Sequence, residues 1–225
     1  MQTSFNPTSL RNQLRKQFGI PEKRSKRPVL DELIMTVLSQ NTTDVNRDRA
    51  YRALRNRYST WEDALRGNIG DLEEAILPAG LGPTKSVRIM QILKRACEEG
   101  NCSGFDKLNT MSREDARSFL LSLPGVGPKT AACVLLFSCD IPAFPVDTHV
   151  FRVCGRLGLL PENAGREKAH DVAEEFFPEA DYLEVHLNII KLGRTVCRPK
   201  NPLCTKCPLS GKCVYWNKLK VEIGG

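Results

Sequence analysis

The chain has 225 residues, with 33 Lys and Arg against 26 Asp and Glu, and 41% of its residues are apolar. This length builds one large or two modest domains, and the composition excludes disordered, collagenous and coiled-coil chains. No apolar run reaches the roughly 18 residues of a membrane helix, and the N-terminus does not resemble a secretory signal. We therefore expect an intracellular protein that contacts no membrane.

The spacing of apolar residues predicts one helix after another along the chain. Capping residues and glycine or proline stops mark most of the ends. No convincing run of alternating strand residues interrupts this pattern, so the predicted fold class is all-α. The predicted helices begin after Pro28, at about 45, at Thr60, at Gly70, at Thr84 with a stop at Gly100, at Ser112, at Pro128 and after Asp147, and two more cover about 166–177 and 181–193.

The two ends of the chain carry the positive charge. Residues 1–27 contain seven Lys or Arg and one Glu, and residues 191–225 contain eight and one. Because the span 28–190 is acidic, the ends could form one basic face that binds a polyanion such as nucleic acid. Charge alone is equally compatible with two solvated tails.

The segment LSLPGVGPKTAACVL, residues 121–135, predicts a helix, a tight hairpin and a second helix. Gly125 and Gly127, on either side of Val126, allow the turn and can direct N–H groups toward a phosphate oxygen beside a helix N-terminus. A plain corner between two helices is the alternative.

Two residues near this hairpin are candidates for chemistry. Lys129 lies in the first turn of the second helix, where the helix dipole disfavours its ammonium form. It is a nucleophile if the site desolvates it beside a carboxylate, and an ordinary solvated charge otherwise. Asp147 could supply that carboxylate, but its position alone favours a helix N-cap.

The cysteines fall into two groups. The spacing C-x6-C-x2-C-x5-C near the C-terminus predicts a metal centre, and it fits zinc and a [4Fe–4S] cluster equally well. Arg198 and Lys200 lie among these ligands and give the loop positive charge. Cys97, Cys102, Cys133, Cys139 and Cys154 are expected to be small core or surface residues without disulfides. The candidate ligands are Cys197, Cys204, Cys207 and Cys213.

The motifs LPGVGPKTA and VDTHVFRV, followed by the cysteine spacing, resemble the endonuclease III family from about residue 28 to 216. These are helix-hairpin-helix DNA glycosylases with an iron–sulfur cluster. The resemblance implies a six-helix barrel domain at 29–134 and a cluster domain made of 1–28 and 135–225, with double-stranded DNA in the cleft between them. It also implies that Lys129 and Asp147 are catalytic and that the four C-terminal cysteines hold a [4Fe–4S] cluster.

The same resemblance implies a bifunctional DNA glycosylase and abasic-site lyase of base excision repair. Such an enzyme removes oxidised or ring-damaged pyrimidines, for example thymine glycol, through a Schiff base on Lys129. It then cleaves the strand 3′ to the abasic site by β-elimination. We expect a monomer, associated with the nucleoid if the source is prokaryotic.

Two further segments resemble family positions that fill the gap left by an extruded base. They are LSQNTTD, with Gln40 and Asn41, and AGLGPTKS, with Leu81. The alternatives are a polar loop that ends a helix and a leucine that covers a small core. Many family members have a basic residue directly before the catalytic lysine, whereas this chain has Pro128 there. This change could alter lesion preference.

Other functions remain as alternatives. The presence of Lys129 argues against the adenine, thymine and uracil mismatch glycosylases of this fold, which have another residue at this position. An 8-oxoguanine glycosylase would fit Lys129 and Asp147, but those enzymes usually lack the four cysteines. Outside the enzymes, a DNA-binding or redox-sensing cluster protein would use the same hairpin and cysteines without catalysis.

Overall fold

Every regular element in the described part of the protein is helical, as the sequence predicts. The computed structural model describes residues 3–22, 25–98, 102 and 105–224, and the predicted stop at Gly100 lies outside them. The α-helices are α1 (Pro7–Phe18), α2 (Val29–Leu38), α3 (Asp44–Arg57), α4 (Trp61–Arg66), α5 (Ile69–Ile76), α6 (Gly82–Glu98), α7 (Arg113–Leu121), α8 (Pro128–Val134), α9 (Thr148–Leu157), α10 (Arg166–Phe176), α11 (Tyr182–Thr195) and α12 (Val214–Gly224). Short 3₁₀ turns cover Leu77–Ala79, Asp106–Thr110, Glu179–Asp181, Cys204–Lys206 and Ser210–Lys212.

The chain divides into two compact units. The hairpin unit, Ser25–Ile141, contains α2 to α8, and the cysteine unit, Met1–Arg24 with Pro142–Gly225, contains α1 and α9 to α12. These limits lie near the predicted domain boundaries, and the assignment of a barrel domain at 29–134 and a cluster domain at 1–28 and 135–225 stays a prediction.

Helix α2 lies in the core of the hairpin unit. It packs against α3, α6 and α8, and Leu33, Ile34, Val37 and Leu38 have no exposed surface. Burying an aliphatic side chain contributes about 1.5–3 kcal/mol, so this stripe fixes the position of the helix. The turn after α2 is held at a defined place as a result.

Local capping defines helix starts in this unit where the sequence predicts them. The Thr60 hydroxyl accepts from the Asp63 N–H, and the Asp63 carboxylate accepts from the Thr60 N–H, which together form a capping box. Pro128 is the first residue of α8, where a missing N–H costs nothing. Thr130 to Val134 are buried, as their apolar run predicts, and the helix continues as a π-helical turn over Leu135–Cys139.

The N-terminal segment of the cysteine unit is an ordered helix. Helix α1 packs against α11, and the Arg11 guanidinium lies 2.7 Å from Asp181. Arg15 pairs with Glu184 at 2.6 Å. The alternative of a solvated tail is therefore wrong for Pro7–Phe18, which form a packed helix, and the binding of a polyanion by this segment stays a prediction.

One cysteine expectation is also wrong. Cys97, in the last turn of α6, forms a disulfide with Cys102. The spacing of these two cysteines matches no metal or redox motif, so sequence patterns give no signal for the pairing. Cys133, Cys139 and Cys154 are buried and take part in no disulfide among the described residues.

No helix among the described residues is long and apolar enough to cross a membrane.

Candidate functional site

The glycine hairpin joins α7 to α8. Gly125 has a φ of +73°, a left-handed backbone that glycine adopts without strain. The N–H groups of Gly125 and Gly127 have no acceptor within the described residues and stay available to a ligand. The Val126 side chain is buried, and its N–H donates to the Leu123 carbonyl at 3.1 Å, which closes the turn. The predicted contact of Val126 with DNA stays a prediction.

Lys129 lies half-buried in the first turn of α8. Its charge acts on Glu32 of α2, a carboxylate that sequence reasoning missed because it reads as an ordinary polar residue between apolar neighbours. Burial raises the pKa of Glu32, and Arg27, Arg47 and Lys129 partly offset that rise. Arg27 donates to the Glu32 carboxylate at 3.0 Å. The charge of Lys129 thus favours the ionised form of Glu32, a half-buried carboxylate of the same unit.

Asp147 is the N-cap of α9. Its Oδ1 accepts from the Val150 N–H at 2.8 Å, so the capping role that its position favours is present. The cap uses one carboxylate oxygen, and Oδ2 has no hydrogen-bond partner within the described part of the chain. Lys129 belongs to the hairpin unit and Asp147 to the cysteine unit. The predicted partnership of the two residues stays a prediction.

Two turns of the hairpin unit carry the residues predicted to enter DNA. In the α2–α3 turn, residues 39–43, Gln40 accepts a hydrogen bond from Arg88 at 2.9 Å, and Asn41 is exposed with a φ of 52°. In the Leu81 turn, residues 80–81, the leucine is 53% exposed with a φ of 53°. This exposure leaves about half of the Leu81 side chain accessible, and its insertion into DNA stays a prediction.

The four predicted ligand cysteines line one cavity. Helix α11 ends just before Cys197, the 3₁₀ turns position Cys204 and Cys207, and Cys213 precedes α12. Burial raises the pKa of Cys207 to about 11 and also raises the pKa values of Cys204 and Cys213, so a cation is needed to favour their thiolates. In the described residues, no three His, Cys, Asp or Glu side chains are arranged to hold a single metal ion. The cavity wall includes Cys197, Cys204, Cys207, Cys213, Arg156, Tyr215 and Trp216.

Two arginines of α9 hold the cysteine loop, residues 197–213. Arg152 donates to the carbonyls of Cys197 and Gly193 at 3.0 and 2.7 Å. Arg156 donates to the carbonyls of Arg198 and Pro199 at 2.8 and 3.0 Å and to the Cys197 sulfur at 3.4 Å. The predicted DNA contacts Arg198 and Lys200 are exposed on this loop.

Comparison with known proteins places this arrangement in a family. Residues 34–179 match the model of the HhH-GPD superfamily base excision DNA repair proteins. The chain belongs to this superfamily. Within it the protein is an endonuclease III-like DNA glycosylase of base excision repair, and iron–sulfur ligation by cysteines is typical of that family.

Individual HhH-GPD relatives agree with this assignment. Endonuclease III of Thermotoga maritima is 33% identical over 83% of this chain and 83% of its own length. A relative from Arabidopsis thaliana is 36% identical over 81% of this chain, which spans 66% of that relative. A structure of a trapped covalent intermediate of endonuclease III with DNA superimposes with a TM-score of 0.79 and 29% identity, over 94% of this chain and 96% of that one.

Proposed function

We propose that the protein is a bifunctional glycosylase and abasic-site lyase that removes oxidised or ring-damaged pyrimidines from double-stranded DNA. The observation that carries the proposal is an amine, Lys129, in the first turn after the glycine hairpin of an endonuclease III homologue. An amine can form a Schiff base with the sugar. An enzyme that only hydrolyses the glycosidic bond needs no amine for its reaction. The related endonuclease III captured as a covalent DNA intermediate supports the same chemistry.

The proposed reaction uses an extruded nucleotide. Asp147 accepts a proton from Lys129 or offsets positive charge that develops on the sugar. Neutral Lys129 attacks C1′, the bond to the base breaks, and the amine becomes a Schiff base after the ring opens. The iminium acidifies the C2′ proton, so its removal expels the 3′ phosphate by β-elimination.

We assign the cysteine cavity to a [4Fe–4S] cluster. Cys197, Cys204, Cys207 and Cys213 supply four sulfur ligands around one space. Iron–sulfur ligation by cysteines is typical of the endonuclease III family, which favours the cluster over a single zinc ion. When bound, the cluster would cross-link the cysteine loop. Purified protein should be straw-brown with absorption at about 400 nm, and a colourless zinc protein would refute the assignment.

DNA is proposed to contact both units. Gly125 and Gly127 would donate backbone N–H groups to phosphate oxygens, and Arg198 and Lys200 would add charge. Gln40, Asn41 and Leu81 would occupy the space of the extruded base. A monomer is sufficient for these contacts, and a DNA substrate requires a location with the chromosome.

The decisive experiment is borohydride trapping with Lys129→Ala. Wild-type protein is incubated with a duplex that contains thymine glycol, with a duplex that contains an abasic site and with a G·T mismatch duplex. We expect a covalent complex on the first two and its complete loss in Lys129→Ala, because alanine offers no amine. Lys94→Ala, which removes an exposed lysine of α6, is the matched control and should trap like wild type.

Each alternative function gives a different result. Base release without an adduct would indicate a glycosylase without lyase action, and release confined to the G·T duplex would indicate a mismatch enzyme. DNA binding without base release by cluster-loaded protein would indicate a binding protein. An adduct that persists in Lys129→Ala would assign the nucleophile to another amine.

A further inference from the structure

A fully buried lysine lies beneath the two turns that carry Gln40, Asn41 and Leu81. Lys85, in the first part of α6, is 1% exposed, and burial lowers its pKa. Its Nζ donates to the carbonyl of Leu38 at 2.9 Å and to the carbonyl of Ala79 at 2.8 Å. A buried lysine with carbonyl acceptors is unusual, since burial of an ammonium is costly without ion pairing. Its position therefore needs an explanation beyond packing.

Both acceptors lie at the points where the two turns begin. Leu38 is the last residue of α2, directly before the α2–α3 turn, and Ala79 ends the 3₁₀ turn that precedes the Leu81 turn. Each turn contains a left-handed residue that is not glycine, Asn41 in one and Leu81 in the other. Such backbone is unfavourable for leucine, so it persists only where neighbouring bonds hold it. The Lys85 ammonium supplies one bond to the residue directly before the α2–α3 turn and one to the residue directly before the Leu81 turn.

A second cation of α6, Arg88, links the α2–α3 turn to the glycine hairpin. Arg88 donates to the Gln40 side chain at 2.9 Å, and it lies so close to the glycine hairpin that a Cβ on Gly125 would be 2.5 Å from its Cδ. Helix α6 therefore contacts the α2–α3 turn, the Leu81 turn and the hairpin through two adjacent side chains. All of these elements belong to the hairpin unit.

We propose that Lys85 is a positioning residue for damage recognition: by binding both turns with one ammonium group, it fixes the spacing between the side chains that enter the duplex. This inference rests on the proposed function, because it takes Gln40, Asn41 and Leu81 to be the inserted residues. Lys85 contacts no phosphate in this arrangement, since its side chain is enclosed and both of its hydrogen bonds are internal.

The test is Lys85→Met in cluster-loaded protein, which keeps the length of the side chain and removes the ammonium. The probe is a duplex with a tetrahydrofuran abasic analogue opposite 2-aminopurine, whose fluorescence rises when insertion unstacks it. This substrate requires no lyase chemistry. We expect Lys85→Met to lose at least half of the wild-type fluorescence rise and to bind the duplex about tenfold more weakly, the equivalent of one lost hydrogen bond to a charged group. Lys94→Met, on the exposed face of α6, should match wild type.

Two further measurements separate positioning from other roles. The slope of log affinity against log salt should be unchanged in Lys85→Met, and a slope reduced by about 0.9 would mean that Lys85 binds a phosphate and would overturn the proposal. In a Leu81→Ala background, Lys85→Met should cause a smaller loss of binding, because one of the positioned side chains is already absent. Fully additive losses would also overturn it.

Failure to fold is addressed by Lys85→Arg, which keeps the positive charge but whose longer, planar guanidinium cannot place its donors on both carbonyls from the same enclosed position. If Lys85→Met does not fold, Lys85→Arg should give a fluorescence rise between zero and the wild-type value, and a full wild-type rise would refute the proposal. If wild-type protein itself gives neither a fluorescence rise nor a borohydride adduct, the proposed function fails. A wild-type rise that Lys85→Met retains defeats only the role of Lys85.

Discussion

The two turns of the hairpin unit and the cysteine loop of the cysteine unit are irregular segments held in different ways. In the hairpin unit, one buried ammonium binds a carbonyl of each segment that leads into a turn. In the cysteine unit, two partly exposed arginines bind carbonyls at the start of the loop, and the rest of the loop surrounds a cavity lined by four thiols. The two turns are held by hydrogen bonds from the protein itself. The cysteine loop, in contrast, presents four sulfur atoms that can bind a metal cluster. The two regions should therefore respond differently to metal removal.

We expect the largest loss of stability when the proposed cluster is removed from the cysteine loop. In Cys204→Ala we expect the absorption at about 400 nm to disappear and the loop to become sensitive to protease. Structural metal centres contribute on the order of 10 kcal/mol to folding in small domains, so this should be the most destabilising change. Thermal unfolding and mapping of the protease cuts provide the measurement.

The matched control is Cys154→Ala, which removes a buried thiol of α9 outside the loop. It should keep the absorption and lose far less stability. Cuts in the α2–α3 turn or the Leu81 turn of Cys204→Ala would contradict the contrast between the two regions.

A smaller effect is expected from Gly125→Ala in the hairpin unit. Alanine would adopt a left-handed φ of +73°, and its Cβ would overlap the Arg88 side chain. We expect the free energy of unfolding to fall by about 2 kcal/mol in chemical denaturation, from backbone strain and displacement of Arg88. Gly127→Ala is the control, because no atom lies within 4 Å of its added Cβ.

The double variant Gly125→Ala with Arg88→Ala divides this loss into its parts. Removing Arg88 should abolish the overlap and leave the strain, so the two changes should be less than additive. Equal losses in Gly125→Ala and Gly127→Ala would show that neither the left-handed backbone nor Arg88 constrains the hairpin.

The smallest effect is expected from Arg156→Lys. Lysine keeps the charge but cannot bind the carbonyls of Arg198 and Pro199 together as a guanidinium does. We expect a loss of about 1 kcal/mol in unfolding, because these bonds are partly exposed. Arg166→Lys, an exposed arginine of α10, controls for the substitution itself. If both variants are equally stable, the Arg156 bonds do not hold the loop.

Features set by neighbours in the chain were predictable. The capping box at Thr60, the proline start of α8 and the Asp147 cap depend on backbone groups within a few residues, so short motifs encode them. The grouping of the four C-terminal cysteines around one cavity was predictable for the same reason, since their spacing is local, and their role as ligands stays a prediction.

Contacts between distant segments were not predictable. The bond from Lys85 to Leu38 joins residues 47 apart, and the pairing of Arg11 with Asp181 joins residues 170 apart. Nothing near Lys85 in the chain indicates burial, because lysine is usually exposed. The disulfide between Cys97 and Cys102 joins residues only five apart, but it was not predicted either, because its spacing matches no metal or redox motif.

The sequence by itself determined the helical class, the family and the candidate chemistry, because periodicity, capping and motif spacing operate over short stretches of chain. Only the tertiary structure decided which polar groups are enclosed and what they bind. It buries Lys85 beneath two turns, brings Glu32 near Lys129 and exposes Leu81. The physical reason is that burial and hydrogen bonding of a side chain depend on every segment packed around it, not on its neighbours in sequence.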